Sequence, residues 1–332
     1  MFFLFISGTE IAQIPGMTVA GANREALPFT APADADVIRF GHPAAVNCFP
    51  MDPDGHPTPA IITRAAALEA KFSVCVIRAG SYLPPEPPYV EIGAPSGNDP
   101  RFSAAVPDAA KIFERAKYLA QTLSPSIKTA MLAESIPGGT TTALLVLRAL
   151  GFDAMVSSGG NINPVGLKNK IWDEASARAG IKFGCLKDDP LRAIKEMGDP
   201  MQSAVLGFIL GSNNKTEIIL AGGTQMLVIA ACAKALGISR KITVATTSYV
   251  ARDSSSSFEE LARELGVDTY VAPLDFSDSP HKGLRDYEKG YVKEGAGAGG
   301  SVLYASRNGV GVREIIDRTD AIYQEISEYR TN

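Results

Sequence analysis

Four glycine-rich segments of this chain contain the residues best suited to chemistry. The first, residues 134–142, reads Glu-Ser-Ile-Pro-Gly-Gly-Thr-Thr-Thr between an apolar run and a segment with helical spacing. This pattern predicts a turn from a strand into a helix. Unpaired N–H groups and the positive end of the helix dipole favour a phosphate there, although a threonine-capped helix is an equal alternative. The candidate anion ligands are Gly138, Gly139, Thr140 and Thr141.

Glu134 stands four residues before the first glycine of this turn. A carboxylate repels a phosphate, so it does not suit the phosphate end of a ligand. We therefore expect Glu134 to contact a neutral or cationic part of a ligand whose phosphate lies on the loop.

The second and third segments also combine glycines with a predicted helix start. Residues 157–170 follow a predicted short strand, Ala154–Ser157, and contain Gly159 and Gly160 before a helix that carries Lys168 and Lys170. Flexible backbone and ammonium groups suit an anion, and the alternative is a helix start with solvated surface lysines. Residues 220–225 place Gly222 and Gly223 between a strand and an apolar helix. They predict either a second ligand contact or close packing of the helix on the sheet.

The fourth segment, Lys293–Gly300, matches the pattern G-x-G-x-x-G formally. A dinucleotide site is weakly indicated, because no buried strand precedes the glycines and little chain follows them. The lone acid, Glu294, is of greater interest. A carboxylate held against apolar backbone has a raised pKa and can act as a general base, whereas the alternative is a solvated glutamate in a first helical turn.

Composition restricts the classes of function. The net charge is −4 without a basic run, so we expect no nucleic-acid partner. No apolar stretch is long enough for a membrane span, and we expect a soluble cytoplasmic protein. The three histidines lack metal-ligand spacing, and the prediction is no metal and no cofactor. The four dispersed cysteines predict buried thiols in a reducing compartment. They are Cys48, Cys75, Cys185 and Cys232.

Apolar strands that alternate with helices predict an α/β fold of three layers, with a mostly parallel Rossmann-like sheet. The apolar Met1–Ile6 segment predicts a first buried strand. Two stretches rich in Pro, Asp or Gly, Pro28–Ala60 and Tyr82–Pro107, predict loops. The remaining predicted strands are residues 73–78, 127–132, 217–221, 241–246 and 268–272, and the predicted helices are residues 106–123, 165–179, 190–197, 201–210, 224–236, 256–265, 301–305 and 309–329.

Taken in order, the four segments resemble those of the nicotinate-nucleotide:dimethylbenzimidazole phosphoribosyltransferase family. Members of that family carry Glu-Met-Gly-x-Gly-Asn-Thr-Thr after a strand, then Gly-Leu-x-x-Lys, Gly-Gly before a helix, and Gly-Glu-Gly-Ser/Thr-Gly-Ala. The resemblance covers residues 127–305. The N-terminal third and Pro137 depart from the best-known bacterial members, and the opening Ile6-Ser-Gly-Thr-Glu10 is similar to that of a divergent branch of the family. The matching residues are Glu134, Gly138, Thr140, Thr141, Gly166, Leu167, Lys170, Gly222, Gly223 and the run Glu294–Ala298.

The resemblance implies a single unit with an α/β core over about 60–275. It also implies a smaller helical subdomain from about 1–60 and 276–332, and a homodimer. The implied reaction moves phosphoribose from nicotinate mononucleotide to a benzimidazole or purine base with anomeric inversion. Glu294 would deprotonate the base and Glu134 would orient the ribose or nicotinate. The Gly138–Thr141 turn and Lys170 would hold the phosphate.

Two other functions stay open from the sequence. A nucleotide-binding sensor of the same fold is the first, since Pro137 and Gly139 alter the phosphate turn. An NAD-dependent dehydrogenase is the second, and it rests only on the formal glycine match. The sequence identifies neither the acceptor base nor any role of the two Pro-rich stretches.

Overall fold

The computed structural model describes residues 1–45 and 49–329. Its centre is one seven-stranded sheet in the order β3-β2-β1-β4-β5-β6-β7, and all six strand pairings of this sheet are parallel. The strands are β1 (Phe2–Ile6), β2 (Val74–Arg78), β3 (Tyr89–Glu91), β4 (Thr129–Ser135), β5 (Glu217–Ala221), β6 (Ile242–Thr247) and β7 (Asp268–Ala272).

Thirteen α-helices occur in the described part of the chain, and most of them cover the two faces of the sheet. They are α1 (Thr30–Phe40), α2 (Ala60–Glu69), α3 (Ala109–Leu123), α4 (Gly139–Leu150), α5 (Val165–Ala179), α6 (Pro190–Met197), α7 (Pro200–Gly211), α8 (Thr224–Ala235), α9 (Ser248–Ala251), α10 (Phe258–Leu265), α11 (Lys282–Arg285), α12 (Ala298–Arg307) and α13 (Val312–Tyr329). Short 3₁₀ helices lie at Glu10–Gln13, Leu27–Phe29, Ser124–Ser126 and Asp286–Lys289.

Alternation along β1 shows how the sheet divides the core. Phe3 and Phe5 pack in the apolar cluster of α3–α8 and α10, whereas Phe2, Leu4 and Ile6 pack in the cluster of α1, α2, α12 and α13. Successive side chains of a strand point to opposite faces, so a continuous apolar run fills both layers at once. The three-layer α/β prediction and the buried first strand are confirmed.

The predicted loop at Pro28–Ala60 is partly wrong, because α1 lies inside it. The helix begins at Thr30, holds Pro32 in its first turn, where proline is tolerated, and ends before Gly41 with φ 88°. Its two aspartates are buried and hydrogen-bonded, so they are not signs of a solvated loop. The other predicted loop, Tyr82–Pro107, contains the short edge strand β3.

The predicted strand Ala154–Ser157 is also wrong. Its backbone groups bond to the starts of two helices: Met155 exchanges hydrogen bonds with Ser257, and the Ser157 N–H donates to the Thr224 hydroxyl at 3.3 Å. The segment therefore lies beyond the sheet as an irregular connection.

Both ends of the chain contribute to the fold. β1 is an interior strand of the sheet, so the sheet includes residues from the 1–60 stretch that the resemblance assigned to the helical subdomain. The boundaries near 60 and 276 stay a prediction. Within residues 1–45 and 49–329, no helix has both the length and the apolar character needed to cross a membrane.

The cysteines are only partly as predicted. Cys232 is buried, Cys75 is half-buried and Cys185 is exposed, so burial holds for one of the three described thiols. Cys185 lies in the turns between α5 and α6, where its thiol accepts a backbone hydrogen bond from Lys182. Cys48 lies outside the described residues.

Candidate functional site

A cavity lies at the carboxyl end of the sheet, where parallel strands place their connecting loops. It encloses about 590 Å³ between atoms, part of it open to solvent. The loop before α2 forms one wall, and the ends of β4 and of the glycine-rich segments form the others. The lining residues are Val19, Ala20, Thr30, Asp34, Pro50, Met51, Asp52, His56, Pro57, Thr58, Pro59, Glu134, Ser135, Ile136, Pro137, Gly159, Gln225, Val292, Glu294 and Gly295.

Glu134 and Glu294 both line this cavity, although 160 residues separate them in the sequence. Glu134 is the second-last residue of β4, and Glu294 precedes the first turn of α12. The Glu294 carboxylate accepts hydrogen bonds from the N–H groups of Gly295 at 3.2 Å and Gly299 at 3.3 Å. The sheet edge and the start of α12 therefore hold two acids at one cavity.

Burial shifts both carboxyl groups toward the protonated form. Removal from water raises the pKa of Glu294 to about 7, even though several N–H groups that donate to it act in the opposite direction. Burial also raises the pKa of Glu134 well above its usual range, and the negative charge of Glu294 adds to this shift. A carboxyl with a pKa near neutrality can accept a proton from a ligand at physiological pH.

The segment predicted to bind phosphate takes the expected strand–turn–helix form, and its first residues, up to Pro137, line the cavity, whereas Gly138–Thr141 are not among the lining residues. Gly138, with φ 82°, packs so closely on the Glu10–Gln13 turn that a Cβ would lie 3.0 Å from the Ala12 nitrogen. Gly139 packs against Ile136 and Gln225 in the same way. The Thr141 hydroxyl is buried and donates to the sulfur of Met17, and Thr140 is partly exposed.

The loop at residues 157–160 is held from behind by two buried lysines. The Lys293 ammonium donates to the carbonyls of Ser158 at 3.2 Å and Gly160 at 3.0 Å, and it pairs with Asp253 at 3.0 Å. The Lys168 ammonium donates to the Ser157 carbonyl at 2.8 Å. The Val292 N–H completes the attachment by donating to the Gly159 carbonyl at 2.7 Å.

These bonds fix the direction of the peptide groups. A trans peptide unit points its N–H opposite to its carbonyl, so the N–H groups of Ser158, Gly159 and Asn161 point away from the lysines. None of the three donates a hydrogen bond to another group in residues 1–45 and 49–329. Gly159 lines the cavity. Free N–H groups with positive charge behind them are an arrangement that suits an anion.

Lys170 lies on the exposed face of α5, whereas Lys168 holds this loop, and a phosphate contact of Lys170 stays a prediction. Its side chain is 68 % exposed and lies 3.8 Å from Glu174 on the outer surface of α5. A helix turns by 100° per residue, and Lys168, Ile171 and Ala175 share the buried face. Lys170 stands about 200° around the helix from Lys168. The apolar spacing at Ile171 and Ala175 is the signal that identifies Lys168 as the buried lysine.

The glycines of the third and fourth segments lie where neighbouring elements pack closely. Gly222 lies beside Glu134, where a Cβ would be 3.3 Å from the Glu134 Oε1 atom, and Gly223 caps α8. In the formal dinucleotide motif, a Cβ at Gly299 would lie 2.2 Å from the backbone of Thr246, and one at Gly300 would lie 2.3 Å from Ala221. These contacts let α12 approach the sheet closely enough to place Glu294.

Two groups in the cavity were not found from the sequence. Asp34 is 4 % exposed and accepts hydrogen bonds from the hydroxyls of Thr58 at 2.6 Å and Ser135 at 2.7 Å. His56 contacts Asp52 at 2.6 Å through Nδ1 and Asp286 at 3.1 Å through Nε2. Both lie in the stretch predicted to be loop, and apart from Asp52 their partners are distant in sequence.

Asp52, Asp54 and His56 form the group of described side chains that could hold a metal ion, with ligand atoms within 4.8 Å of one another. The Asp52 carboxylate already accepts from the Asp54 and His56 N–H groups, and Asp54 is exposed. Since these atoms are engaged in hydrogen bonds that shape the loop, we assign no metal to them.

Comparison with solved structures shows the fold. A nicotinate-nucleotide-dimethylbenzimidazole phosphoribosyltransferase from Thermus thermophilus superposes with a TM-score of 0.62 at 16 % identity, covering 95 % of this chain and 82 % of that one. A structure titled CobT, from the same organism, gives a TM-score of 0.60 at 17 % identity, again over 95 % and 82 %. At these identities the likeness concerns the three-layer architecture.

Curated sequences show the family, although no protein-family model matches the chain. A UPF0284 protein of Pyrococcus furiosus is 46 % identical over 98 % of both chains. A UPF0284 protein of Saccharolobus solfataricus is 39 % identical over 98 % of this chain and 92 % of its own. Identity at this level over nearly the full length of both partners establishes that the chain belongs to the UPF0284 family.

Proposed function

We propose that this chain is a phosphoribosyltransferase that moves phosphoribose from nicotinate mononucleotide to a benzimidazole or purine base. The observation that carries the proposal is the pair Glu134 and Glu294 at one cavity, beside a loop of free N–H groups. One acid suits proton removal, the second suits a developing positive charge, and the loop suits a phosphate. The architecture shared with the Thermus phosphoribosyltransferase supports it.

In the proposed reaction, the ring nitrogen of the base that carries a free lone pair attacks the anomeric carbon, and Glu294 accepts the proton from the other ring nitrogen, so that the product ring is neutral. The bond from this carbon to the pyridinium nitrogen breaks, and its electron pair neutralises the leaving ring as nicotinate. Attack from the face opposite the leaving ring inverts the anomeric configuration. Glu134 would stabilise the positive charge that develops on the sugar.

The loop of free N–H groups gives this proposal a phosphate site without Lys170 or the Gly138–Thr141 turn. The N–H groups of Ser158, Gly159 and Asn161 would face the 5′-phosphate. Lys168 and Lys293 supply positive charge through the carbonyls to which they donate. An anion held by backbone N–H groups needs a fixed loop, and the two lysines fix it.

Release of nicotinate tests the function. The full chain is incubated with nicotinate mononucleotide, with and without dimethylbenzimidazole or adenine, and nicotinate is measured by chromatography. We expect release that depends on the base, with formation of the corresponding α-nucleotide. Absence of release with every base would contradict the transferase.

A non-catalytic nucleotide sensor is the second candidate. Pro137 and Gly139 motivate it, because they alter the phosphate turn of the family while the free N–H groups at residues 158–161 still suit a nucleotide. Calorimetric binding of nicotinate mononucleotide without nicotinate release would support the sensor. The homodimer belongs to the transferase proposal, and sedimentation of the free chain measures it.

A matched pair of lysine variants tests the phosphate site. We expect Lys168→Met to weaken binding of nicotinate mononucleotide about 10-fold or more, because the loop loses a charged donor. Lys170→Met removes an exposed lysine from the same helix and should change the affinity less than 2-fold. Equal effects of the two variants in calorimetry would place the phosphate elsewhere.

The pH dependence gives a second readout of the same lysine. Burial and the nearby Lys293 charge lower the pKa of Lys168 to about 7. The ammonium that holds the loop is present below this pH and is lost above it, so affinity should fall as the pH rises from 7 to 9. The Lys168→Met variant should lack this decline.

A further inference from the structure

The cavity is lined by more acidic than basic side chains. Four carboxylates line it, whereas no lysine or arginine does so among the residues that the structure describes. Its one basic side chain, His56, already contacts two carboxylates. The acids are Asp34, Asp52, Glu134 and Glu294. A ligand group that faces an ionised carboxylate must donate a hydrogen bond, because an acceptor is repelled there.

The surroundings of Asp34 distinguish it from the other three. Asp52 is bonded to the loop that contains it, and Glu294 and Glu134 already have roles in the proposed transfer. Asp34 accepts one hydroxyl at each oxygen, from Thr58 on the loop before α2 and from Ser135 at the end of β4. These two bonds hold the carboxylate between two walls of the cavity. Thr30, one turn earlier on α1, lines the same wall.

The remaining acceptor capacity of Asp34 is unused. A carboxylate offers about four lone-pair positions, and the two hydroxyls occupy two of them. Burying a carboxylate without filling its acceptor sites costs free energy, which a donor from the ligand would offset. Asp34 also has no lysine or arginine partner in the described chain, so its charge is available to a ligand.

We propose that Asp34 selects the acceptor base by accepting a hydrogen bond from an exocyclic amino group on its ring. This inference rests on the proposed transferase function, since the base is a substrate only in that reaction. It narrows the substrate class to amino-substituted nitrogen heterocycles such as aminopurines. A ring that presents a methyl group at the same position would leave the carboxylate without its donor.

Two bases of the same shape provide the probe. Adenine and 6-methylpurine differ in whether the substituent at the six position can donate a hydrogen bond. We expect wild-type protein, saturated with nicotinate mononucleotide, to use adenine with a kcat/KM about 10- to 100-fold higher than 6-methylpurine. Asp34→Asn retains the shape but loses the negative charge and replaces one acceptor oxygen with an NH₂ donor, so it should reduce this ratio to within about 3-fold of one.

The control variant is Asp36→Asn on the same helix. Asp36 is equally buried but accepts backbone N–H groups of Ala44, Ala45 and Glu86, away from the lining of the cavity. It should leave the ratio of the two bases unchanged. A melting curve for each variant separates loss of folding from loss of selection.

Binding of the two bases to the wild-type chain, measured by calorimetry, decides the proposal without turnover or a variant. Tighter binding of adenine by about 10-fold supports it. Equal affinity of adenine and 6-methylpurine, or an Asp34→Asn protein that keeps the wild-type ratio, would overturn it. Selective binding without nicotinate release would contradict the transferase alone, whereas release without selection would contradict only the role of Asp34.

Discussion

Replacement of Glu294 by glutamine should reduce turnover by a factor of about 10² to 10⁴, the usual contribution of a general base. The amide has the shape of the carboxylate and still accepts from the Gly295 and Gly299 N–H groups, so binding of nicotinate mononucleotide should change little. The measurement is nicotinate release at saturating substrate, combined with calorimetry. A selective loss of kcat separates proton removal from ligand positioning.

A glutamate far from the cavity provides the control. Glu264 is exposed near the end of α10, and Glu264→Gln should keep the wild-type rate. If Glu294→Gln turns over normally, another group removes the proton. A Glu134→Gln variant then tests the second acid at the same cavity.

The pH dependence of the rate independently tests the assignment of Glu294 as the general base. A general base acts when deprotonated, and the pKa of Glu294 is raised by burial to about 7. The rate in wild type should therefore rise with pH up to about 7 and then level off. Glu294→Gln should retain only a residual rate without this limb, which a merely structural role of the carboxylate would not produce.

The raised pKa of Glu294 also predicts that the stability of the fold decreases with pH over the range in which the rate increases. A carboxyl whose pKa is higher in the folded chain than its ordinary 4.5 favours folding when protonated, and this contribution is lost as the pH rises from 4.5 through about 7. At pH 8 the buried charge opposes folding. Glu294→Gln should thus increase the free energy of unfolding at pH 8 while it lowers the rate, as expected for an acid kept for function.

Local sequence patterns were sufficient to predict most strands of the sheet and to single out Glu134 and Glu294 as candidate site residues. Apolar runs such as Glu217–Ala221 and Asp268–Ala272 match the observed strands residue for residue. Glu134 and Glu294 were identified because an acid beside a glycine run is unusual. Both signals depend on residues within one short segment, which a single sequence displays directly.

The parts that failed depend on contacts between distant segments. Asp34 and Asp36 made the stretch before residue 60 resemble a solvated loop, and only Ser135, Thr58 and Glu86 show that α1 is buried there. The phosphate role of the Gly138–Thr141 turn was predicted from local residues alone and stays a prediction. Whether such a turn is free or covered depends on Ala12, more than a hundred residues earlier.

The choice between Lys168 and Lys170 was within reach of the sequence. Helical periodicity through Ile171 and Ala175 assigns Lys168 to the buried face. The family resemblance favoured Lys170, which the structure places on the exposed face. In this chain the apolar spacing was therefore a better guide to the position of a charged side chain than the motif.

Replacement of Gly299 by alanine should be among the substitutions that most reduce the stability of the chain. An added Cβ would lie 2.2 Å from the Thr246 carbonyl carbon and 2.4 Å from its oxygen, both backbone atoms that cannot rotate away. Overpacking of this kind costs about 1–3 kcal/mol or more, against about 1 kcal/mol gained in helix propensity. The free energy of unfolding, from denaturant titration, should fall.

The activity of this variant tests what the glycine run is for. Displacing α12 from β6 moves the Gly299 N–H that donates to Glu294 at 3.3 Å, so turnover should fall even where the variant remains folded. Gly166→Ala is the matched control, because Gly166 is also helical, has no atom within 4 Å of its Cβ position and should gain up to about 1 kcal/mol. If Gly299→Ala kept full stability and turnover, close packing of α12 would not position the base. The glycine run would then need a different explanation, such as direct contact with a ligand.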